Sequence, residues 1–325
     1  MYHRLRVAEV IAETADAHSL VLTVPPALAG AFVYRPGQYL TVMVPQDGGS
    51  VARCYSLSSS PHTDTELQIT VKRVRDGQAS NWICDHVRPG STLDLSPPAG
   101  SFTPLSLDDD LLLLAGGSGI TPVIAIIKSV LARGSGRLAL VYANRDAGSV
   151  IFGASLAELA ARYGDRLEVT HWLDSARGAP EPSSLAPLLT PYRNREAYVC
   201  GPEPFVAVAR QALQEAGVRR VRIENFFVDK AADGIDATAE VTLDGRTHTL
   251  PWPAGKRLLD VLIEAGLNPP FSCRQGHCGA CACRLLSGEV DLVNNEVLEE
   301  EDFADGYILA CQAVPRTENV AVTYY

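Results

Sequence analysis

No stretch of this sequence stays apolar long enough to cross a bilayer. A membrane helix needs about 20 apolar residues in succession. The longest candidate, LLLLAGGSGITPVIAIIKSVLA, is broken by Gly116, Gly117, Gly119, Pro122 and Lys128, a pattern that suits a buried strand, a turn and a helix. A secretion signal is lacking too, since MYHRLRVAEVIAET has no charged segment followed by an apolar one. Without secretion, eight cysteines argue against structural disulfides and for a cytoplasmic chain. Basic residues are in short supply: 28 Lys and Arg against 38 Asp and Glu leave a formal charge of −10, which disfavours nucleic acid as a partner. There is no internal repeat. What remains is ordinary folding material, 46% hydrophobic and 20% charged, and 325 residues predict two or three domains.

The rhythm of the chain predicts three. Residues 1–106 alternate short β-rich runs (RLRVAEVIAET, HSLVLTV, YLTVMV, RCYSLS, ELQITVKRV, TLDL) with turns, and one helical stretch lies near ASNWICDHV. That spacing predicts a small antiparallel barrel. Over 107–228, apolar strands (DLLLLAG, RLALVYAN, RLEVTHWL, AYVCG, VRIENFF) are separated by helical stretches such as PVIAIIKSVLA and LAELAARY. This alternation predicts a parallel sheet covered on both faces. VDKAADGIDA, residues 228–237, is polar and predicts a linker. Residues 236–325 then form a third domain of mixed α+β character: a hairpin turning at Asp244-Gly245, a helix at KRLLDVLIEAG, a cysteine-rich loop and short strands.

That loop, PFSCRQGHCGACACRL, holds four of the eight cysteines within eleven positions. Cys273, Cys278 and Cys281 are spaced C-x4-C-x2-C, and Cys311 follows in ILACQ; four thiolates so arranged match the plant-type pattern for a 2Fe-2S cluster. Gly276, Gly279 and Ala280 let the backbone wrap closely and turn its amides toward sulfur. Zinc is the alternative, because C-x2-C pairs also hold zinc, but zinc sites favour two similar short pairs rather than three ligands in one loop and a distant fourth. Cys283 reads as a small core residue and His277 as solvent-facing.

On these residues the third domain resembles plant-type ferredoxins, which implies a β-grasp fold. The whole chain resembles the reductase components of bacterial multicomponent oxygenases, in which a ferredoxin-NADP-reductase-like module is joined to a C-terminal ferredoxin. PFSCRQGHCGACACRL, NNEVLEEEDFADGYILACQ and YANRDAGSVIF are most similar to the reductases of the 3-ketosteroid 9α-hydroxylase type. The phenylacetyl-CoA epoxygenase reductases share the same domain order.

A 2Fe-2S cluster takes one electron and a nicotinamide delivers a hydride, so a flavin is needed between them. RCYS resembles the family's R-x-Y-S flavin motif. The resemblance implies that Arg53 pairs with a cofactor phosphate, Tyr55 packs on the isoalloxazine ring and Ser56 acts as a catalytic hydroxyl near flavin N5. It implies backbone contacts from Thr70, Val71 and Lys72 to the polar edge of the ring. Gly77, Gln78, Ala79 and Ser80 open a helix, and a helix N-terminus suits a phosphate. YRPGQYL, also a family phrase, is structural. The family's relatives point to FAD, with FMN as the alternative.

In LLLLAGGSGITPVIAII, Pro122 stands where the last glycine of a G-x-G-x-x-G would be. Gly117 and Gly119 still permit close approach to a pyrophosphate, and Pro122 suits a first helical turn. The resemblance implies that Thr121 lies near the nicotinamide. It implies likewise that Cys200, followed by Gly201 and Pro202 in CGPEP, is a catalytic residue beside the reacting carbon; a plain buried thiol is the alternative. Asn144 and Arg145 end a strand where the adenosine ribose should rest. Arg145 could meet a 2′-phosphate that Asp146 would repel, and the pair favours NADH. Phe226 would shield the flavin, or serve as core.

Between Leu286 and Gly306 stand eight acids (Glu289, Asp291, Glu296, Glu299, Glu300, Glu301, Asp302, Asp305) and no basic residue. Some favour a helix start; the excess also suits docking to a basic protein partner. No paired Rieske histidines and no two-His-one-carboxylate set stand out. The expected protein is therefore an oxidoreductase that passes electrons from NADH through FAD and a 2Fe-2S cluster to a separate terminal oxygenase. Steroid hydroxylation by a Rieske enzyme is the favoured pathway, with a diiron phenylacetyl-CoA epoxygenase, another aromatic-ring oxygenase, or a zinc-bearing non-enzymatic module as alternatives.

Overall fold

Leu5 and Val7 are fully buried while Arg4, Arg6 and Ala8 between and beside them face outward, the period-two pattern of a half-buried strand. They lie in β1 (His3–Thr14), the first element of a computed structural model that describes residues 2–46, 49–225, 234–271, 274, 276, 278–295 and 297–324. The chain divides into two compact units, Met1–Val51 with Tyr55–Phe226, and Ala52–Cys54 with Phe227–Tyr325.

In the N-terminal part of the chain, β1 is joined by β2 (Ala17–Thr23), β3 (Tyr39–Gln46), β4 (Gly49–Ser56), β5 (Leu67–Lys72) and β6 (Thr92–Leu95) in a six-stranded sheet of order β4-β3-β6-β1-β2-β5. Just past β4, Leu57 bridges Ile69 of β5, and Ser58 N donates to Gln68 O at 2.8 Å. The two ends of the sheet thus meet, and it closes as the expected barrel. Helix α1 (Gln78–His86) plugs it with Ile83, which packs among Leu20, Leu40, Leu57 and Ile69.

The first unit contains a parallel sheet of β7 (Leu111–Gly116), β8 (Leu138–Asn144), β9 (Leu167–Leu173), β10 (Glu196–Gly201) and β11 (Val221–Asn225), ordered β11-β10-β7-β8-β9. All of β7 is buried, and its residues sort by parity. Leu111 and Leu113 join the cluster under α2 (Ile120–Arg133) and α3 (Gly153–Tyr163). Leu112 and Leu114 face Leu185 of α5 (Pro182–Leu189), beyond the short α4 (Asp174–Arg177), and Ala209 of α6 (Glu203–Glu215). Helices on both faces are what makes an all-apolar strand stable. The order reverses between β7 and β10, and such a switch point opens a crevice at the carboxyl ends of the strands.

The second unit is built on β12 (Ala237–Leu243) and β13 (Arg246–Trp252), a hairpin whose turn residues Asp244 and Gly245 have φ of 51° and 73°, as a two-residue turn requires. Helix α7 (Leu258–Glu264) buries Leu258, Leu259 and Leu262 against Val241 and Trp252. Strand β14 (Ala282–Ser287) follows, then β15 (Val290–Leu292), α8 (Glu300–Ala304), β16 (Tyr307–Leu309), β17 (Ala313–Pro315) and β18 (Asn319–Thr323). The main sheet runs β13-β12-β18-β14-β16, with β12 parallel to β18. A helix folded onto a mixed sheet of this kind is the β-grasp arrangement. Most of the expected linker, 228–233, lies outside the described residues.

Candidate functional site

At the switch point three distant segments meet. Parallel pairing sets Cys200 of β10 opposite Glu224 of β11, and the barrel brings up Ser56 at the end of β4. Glu224 Oε2 accepts from Ser56 Oγ at 3.3 Å and from Cys200 Sγ at 3.8 Å. Cys200 is fully buried and Ser56 is nearly so. The glycine turn after β7 abuts this group: a Cβ on Gly119 would lie 2.0 Å from the Cys200 carbonyl oxygen, so only glycine fits there. Gly117 adopts φ +53°. Thr121, buried, donates to Ser118 O at 3.0 Å, and Pro122 sits in the first turn of α2 as its missing amide allows. Gly201 packs against Gly116, and Pro202 leads into α6. The two candidate catalytic residues and the glycine turn are therefore one cluster.

On the barrel, Tyr55 packs against the core, and Arg53 Nη1 donates to Ala52 O at 2.9 Å. Thr70 of β5 belongs to a line of hydroxyls: its Oγ1 lies 2.8 Å from both Ser58 Oγ and Ser19 Oγ, and Ser19 donates to Glu13 at 2.6 Å. Val71 is core. Lys72 is half-buried, and its pKa is lowered by that burial, against which Asp16 acts; its Nζ lies 3.7 Å from where a Gly117 Cβ would stand. Gly77 precedes α1, with Gln78, Ala79 and Ser80 in its first turn; Ser80 Oγ accepts from Val74 N at 3.1 Å. The helix start expected here is present.

At the carboxyl end of β8, Asn144 is 5% exposed, and among the described residues neither of its amide atoms meets a partner in hydrogen-bonding geometry. The Tyr142 hydroxyl is close by but committed to Gly117 O and Ile151 O at 3.0 and 3.4 Å. An orphaned buried amide in a cleft fits a polar ligand. Arg145 beside it donates to Asp16 at 3.0 Å, and Asp146 caps the following turn by accepting from Ser149 N at 2.9 Å. Phe226 lies outside the described residues.

In the second unit, Cys281 and Cys311 are 3% and 2% exposed and share one core cluster; Ala310 N donates to Cys281 O at 3.2 Å. Cys278 is half-buried, while Cys273 and His277 lie outside the described residues. Among the described residues no group of three metal-binding side chains gathers. The backbone nonetheless fits a cluster loop. Gly276 has φ +83°, and a Cβ there would meet Asn294 O at 2.8 Å, while a Cβ on Gly279 (φ +69°) would lie 3.6 Å from Val297. Fully buried Gln312 donates from Nε2 to Arg274 O at 2.9 Å and to Cys311 Sγ at 3.4 Å, a bond that would stabilise thiolate charge. Burial pushes the Cys283 thiol up to about 12, which keeps it protonated, as a core cysteine should be.

Three functional candidates escaped the sequence: Glu224, Asp16 and Gln312. Glu224 stood in plain view in VRIENFF, but only the register with β10 makes it a partner of Cys200.

Comparison with known proteins identifies the domains that carry these residues. Residues 4–103 match the oxidoreductase FAD-binding domain family, 113–211 the oxidoreductase NAD-binding domain family and 241–316 the 2Fe-2S iron-sulfur cluster binding domain family, which removes zinc. The chain is 52% identical to the ferredoxin reductase component of 3-ketosteroid-9-alpha-monooxygenase of Mycobacterium tuberculosis, over 98% of this chain and 95% of the relative. It is 33% identical to one of the polypeptides of the 1,2-phenylacetyl-CoA epoxidase of Escherichia coli, over 99% and 98%. Its fold is that of phthalate dioxygenase reductase, with a TM-score of 0.71 at 24% identity over 99% of this chain and 98% of that one. The chain belongs to the family of the ferredoxin reductase components of 3-ketosteroid-9-alpha-monooxygenase, with its FAD-binding, NAD-binding and 2Fe-2S domains in a single polypeptide.

Proposed function

We propose that this reductase takes its electrons from NADH and delivers them to a separate Rieske-type oxygenase that hydroxylates a 3-ketosteroid. Bound FAD and the cluster would supply the conversion of a two-electron hydride into single electrons. The observation that carries the site is the grip of Glu224 on both Ser56 and Cys200. Ser56 presents a hydroxyl where N5 of the flavin would gain or lose a proton, and Glu224 fixes its rotamer and can move that proton. Cys200 walls the crevice where the nicotinamide would lie, and its burial keeps water from the transferred hydride. Gly117, Gly119 and Thr121 would bind the nucleotide from β7, Gly201 and Pro202 from β10, and Asn144 and Arg145 from β8. Arg53, Tyr55, residues 70–72 and residues 77–80 would hold the flavin, and Phe226 would cover it. Cys273, Cys278, Cys281 and Cys311 would ligate the irons.

The steroid pathway rests on the 52% relative; the epoxidase polypeptide supports a diiron partner less, at 33%. For docking, α8 carries Glu300, Glu301 and Asp302 in its first turn, with Glu299 and Asp302 closing a capping box, so part of the acid excess serves the helix. Asp291 is paired with Arg316. Glu289, Glu299, Glu300, Glu301 and Asp305 are exposed and supply the negative face a basic partner would meet. The deciding experiment is an anaerobic visible spectrum before and after addition of NADH, then NADPH. Flavin and cluster bands that both bleach with NADH are expected; a flavin that bleaches beside inert or absent cluster bands would overturn the proposal. Reconstitution with each oxygenase then separates the two pathways.

A further inference from the structure

Two apolar side chains in the segment after the cluster loop stay in solvent. Asn295 ties the chain before α8 into a fixed turn. Its Oδ1 accepts from Val297 N at 3.3 Å and from Leu298 N at 2.9 Å, and its Nδ2 donates to Leu298 O at 2.8 Å. Leu298 packs on the core of the second unit, and Val297 is turned outward, 37% exposed. The Val297 methyl carbons stand 3.6 and 4.0 Å from where a Cβ on Gly279 would be. Gly279 falls between Cys278 and Cys281, two of the proposed cluster ligands. Val297 therefore lies between the cluster loop and solvent.

Phe303 follows on α8 and is 46% exposed. No residue of α8 is buried, so this ring does not anchor the helix to the domain. A single exposed apolar side chain is ordinary, but here two stand in one short segment with acids on either side of Phe303. Glu299, Glu300, Glu301 and Asp305 are exposed, and Asp302 closes the capping box. Against these five acids Arg284 reaches the segment, its Nε donating to Asp305 O at 2.8 Å, so the balance stays negative. Arg274 and Arg316 of the same unit are paired with Asp260 and Asp291. Apolar residues set among charges of one sign have the layout of a protein-binding patch. The apolar centre supplies affinity through desolvation, and the charged rim supplies steering and register.

We propose that Val297 and Phe303 are the apolar centre of the patch through which this chain docks its oxygenase, with the acids of α8 as the rim. The partner that fits is an oxygenase presenting an apolar hollow flanked by lysines or arginines. This rests on the electron-delivery reading above and goes beyond it by naming the side chains that bind, as distinct from the charges that steer. Contact at Val297 sets the partner on the loop that carries Cys278 and Cys281, and a short distance favours electron transfer.

The test is calorimetric titration of the FAD- and cluster-loaded full chain with the purified Rieske-type oxygenase, at about 0.05 M and about 0.5 M salt. Phe303→Ala should weaken binding at least tenfold, about 1.4 kcal/mol. Val297→Thr should weaken it about fourfold, the scale of one buried methyl group. Both factors should be the same at high salt, because an apolar contact is not screened, whereas Glu300→Lys/Glu301→Lys should weaken binding only at low salt. The electron paramagnetic resonance signal of the cluster and its rate of reduction by NADH should stay within twofold of wild type in F303A and V297T. Unchanged binding in both variants would overturn the inference and leave the electron-delivery reading standing. Slower reduction of the cluster by NADH would overturn it as well, by showing that the patch meets this chain's own flavin. A reductase that sediments as a dimer in wild type and as a monomer in F303A would overturn it in favour of a second copy. A wild-type chain that neither binds nor reduces the oxygenase would overturn the pathway reading, and the inference with it.

Discussion

Ser56 and Glu224 stand 168 positions apart in the chain and 3.3 Å apart in the fold, with Cys200 sharing the same carboxylate oxygen at 3.8 Å. The serine comes from the barrel and the other two from neighbouring parallel strands. Closing the crevice thus requires both halves of the first unit to be folded and docked. Ser56→Ala should slow flavin reduction by NADH roughly 100-fold, the scale of a positioned proton-transfer group. Glu224→Ala should cost a similar factor by loosening Ser56. Stopped-flow absorbance of the anaerobic protein measures both, and rates within twofold of wild type would remove the trio from the chemistry.

Gly119 has no room for a methyl group, with the Cys200 carbonyl oxygen 2.0 Å from where its Cβ would be. Gly119→Ala should destabilise the first unit by about 1–3 kcal/mol, the range for overpacking, and weaken NAD⁺ binding by pushing the turn off β10. Thermal unfolding and calorimetry on the same preparation report the two effects. A variant with wild-type stability would show that the turn yields at little cost.

The cluster loop gives a prediction by removal. If Cys281 and Cys311 ligate the irons as proposed, Cys281→Ala or Cys311→Ala should abolish the 2Fe-2S visible bands and the electron paramagnetic resonance signal of the reduced protein, since each would take away one thiolate ligand. Gln312→Leu should keep the cluster and shift its midpoint potential to more negative values, because the lost amide bond to Cys311 Sγ stabilises the more negative, reduced state. A potential shift in the positive direction would contradict that role.

If the exposed acids around α8 steer a basic oxygenase, reduction of the partner should slow as salt rises from about 0.05 M to about 0.5 M, where screening shortens the reach of surface charge to a few ångströms. Glu300→Lys/Glu301→Lys should flatten that dependence. Stopped-flow mixing with the oxygenase measures it, and a rate indifferent to salt would dispose of charge steering.

The three domain types, the succession of their strands and helices and the cysteine loop were legible in the sequence because each depends on local signals. Alternation in RLRVAEV, unbroken apolarity in LLLLAG, the Asp244-Gly245 turn and the C-x4-C-x2-C spacing each constrain a few neighbouring residues, and backbone sterics and burial turn those constraints directly into elements. Ser56 and Cys200 were singled out for the same reason, since each stands in a short motif, and the fold brings both to Glu224. Glu224, Asp16 and Gln312 carry no local mark. A glutamate in a strand, an aspartate in a hairpin turn and a glutamine after a cysteine are ordinary in themselves. Their roles come from strand register and from the packing of barrel against sheet, which set Glu224 beside Cys200, Asp16 against Arg145 and the Gln312 amide on the Cys311 sulfur. Hydrogen bonds and ion pairs act over about 3–4 Å, and only the tertiary fold decides which distant side chains come that close.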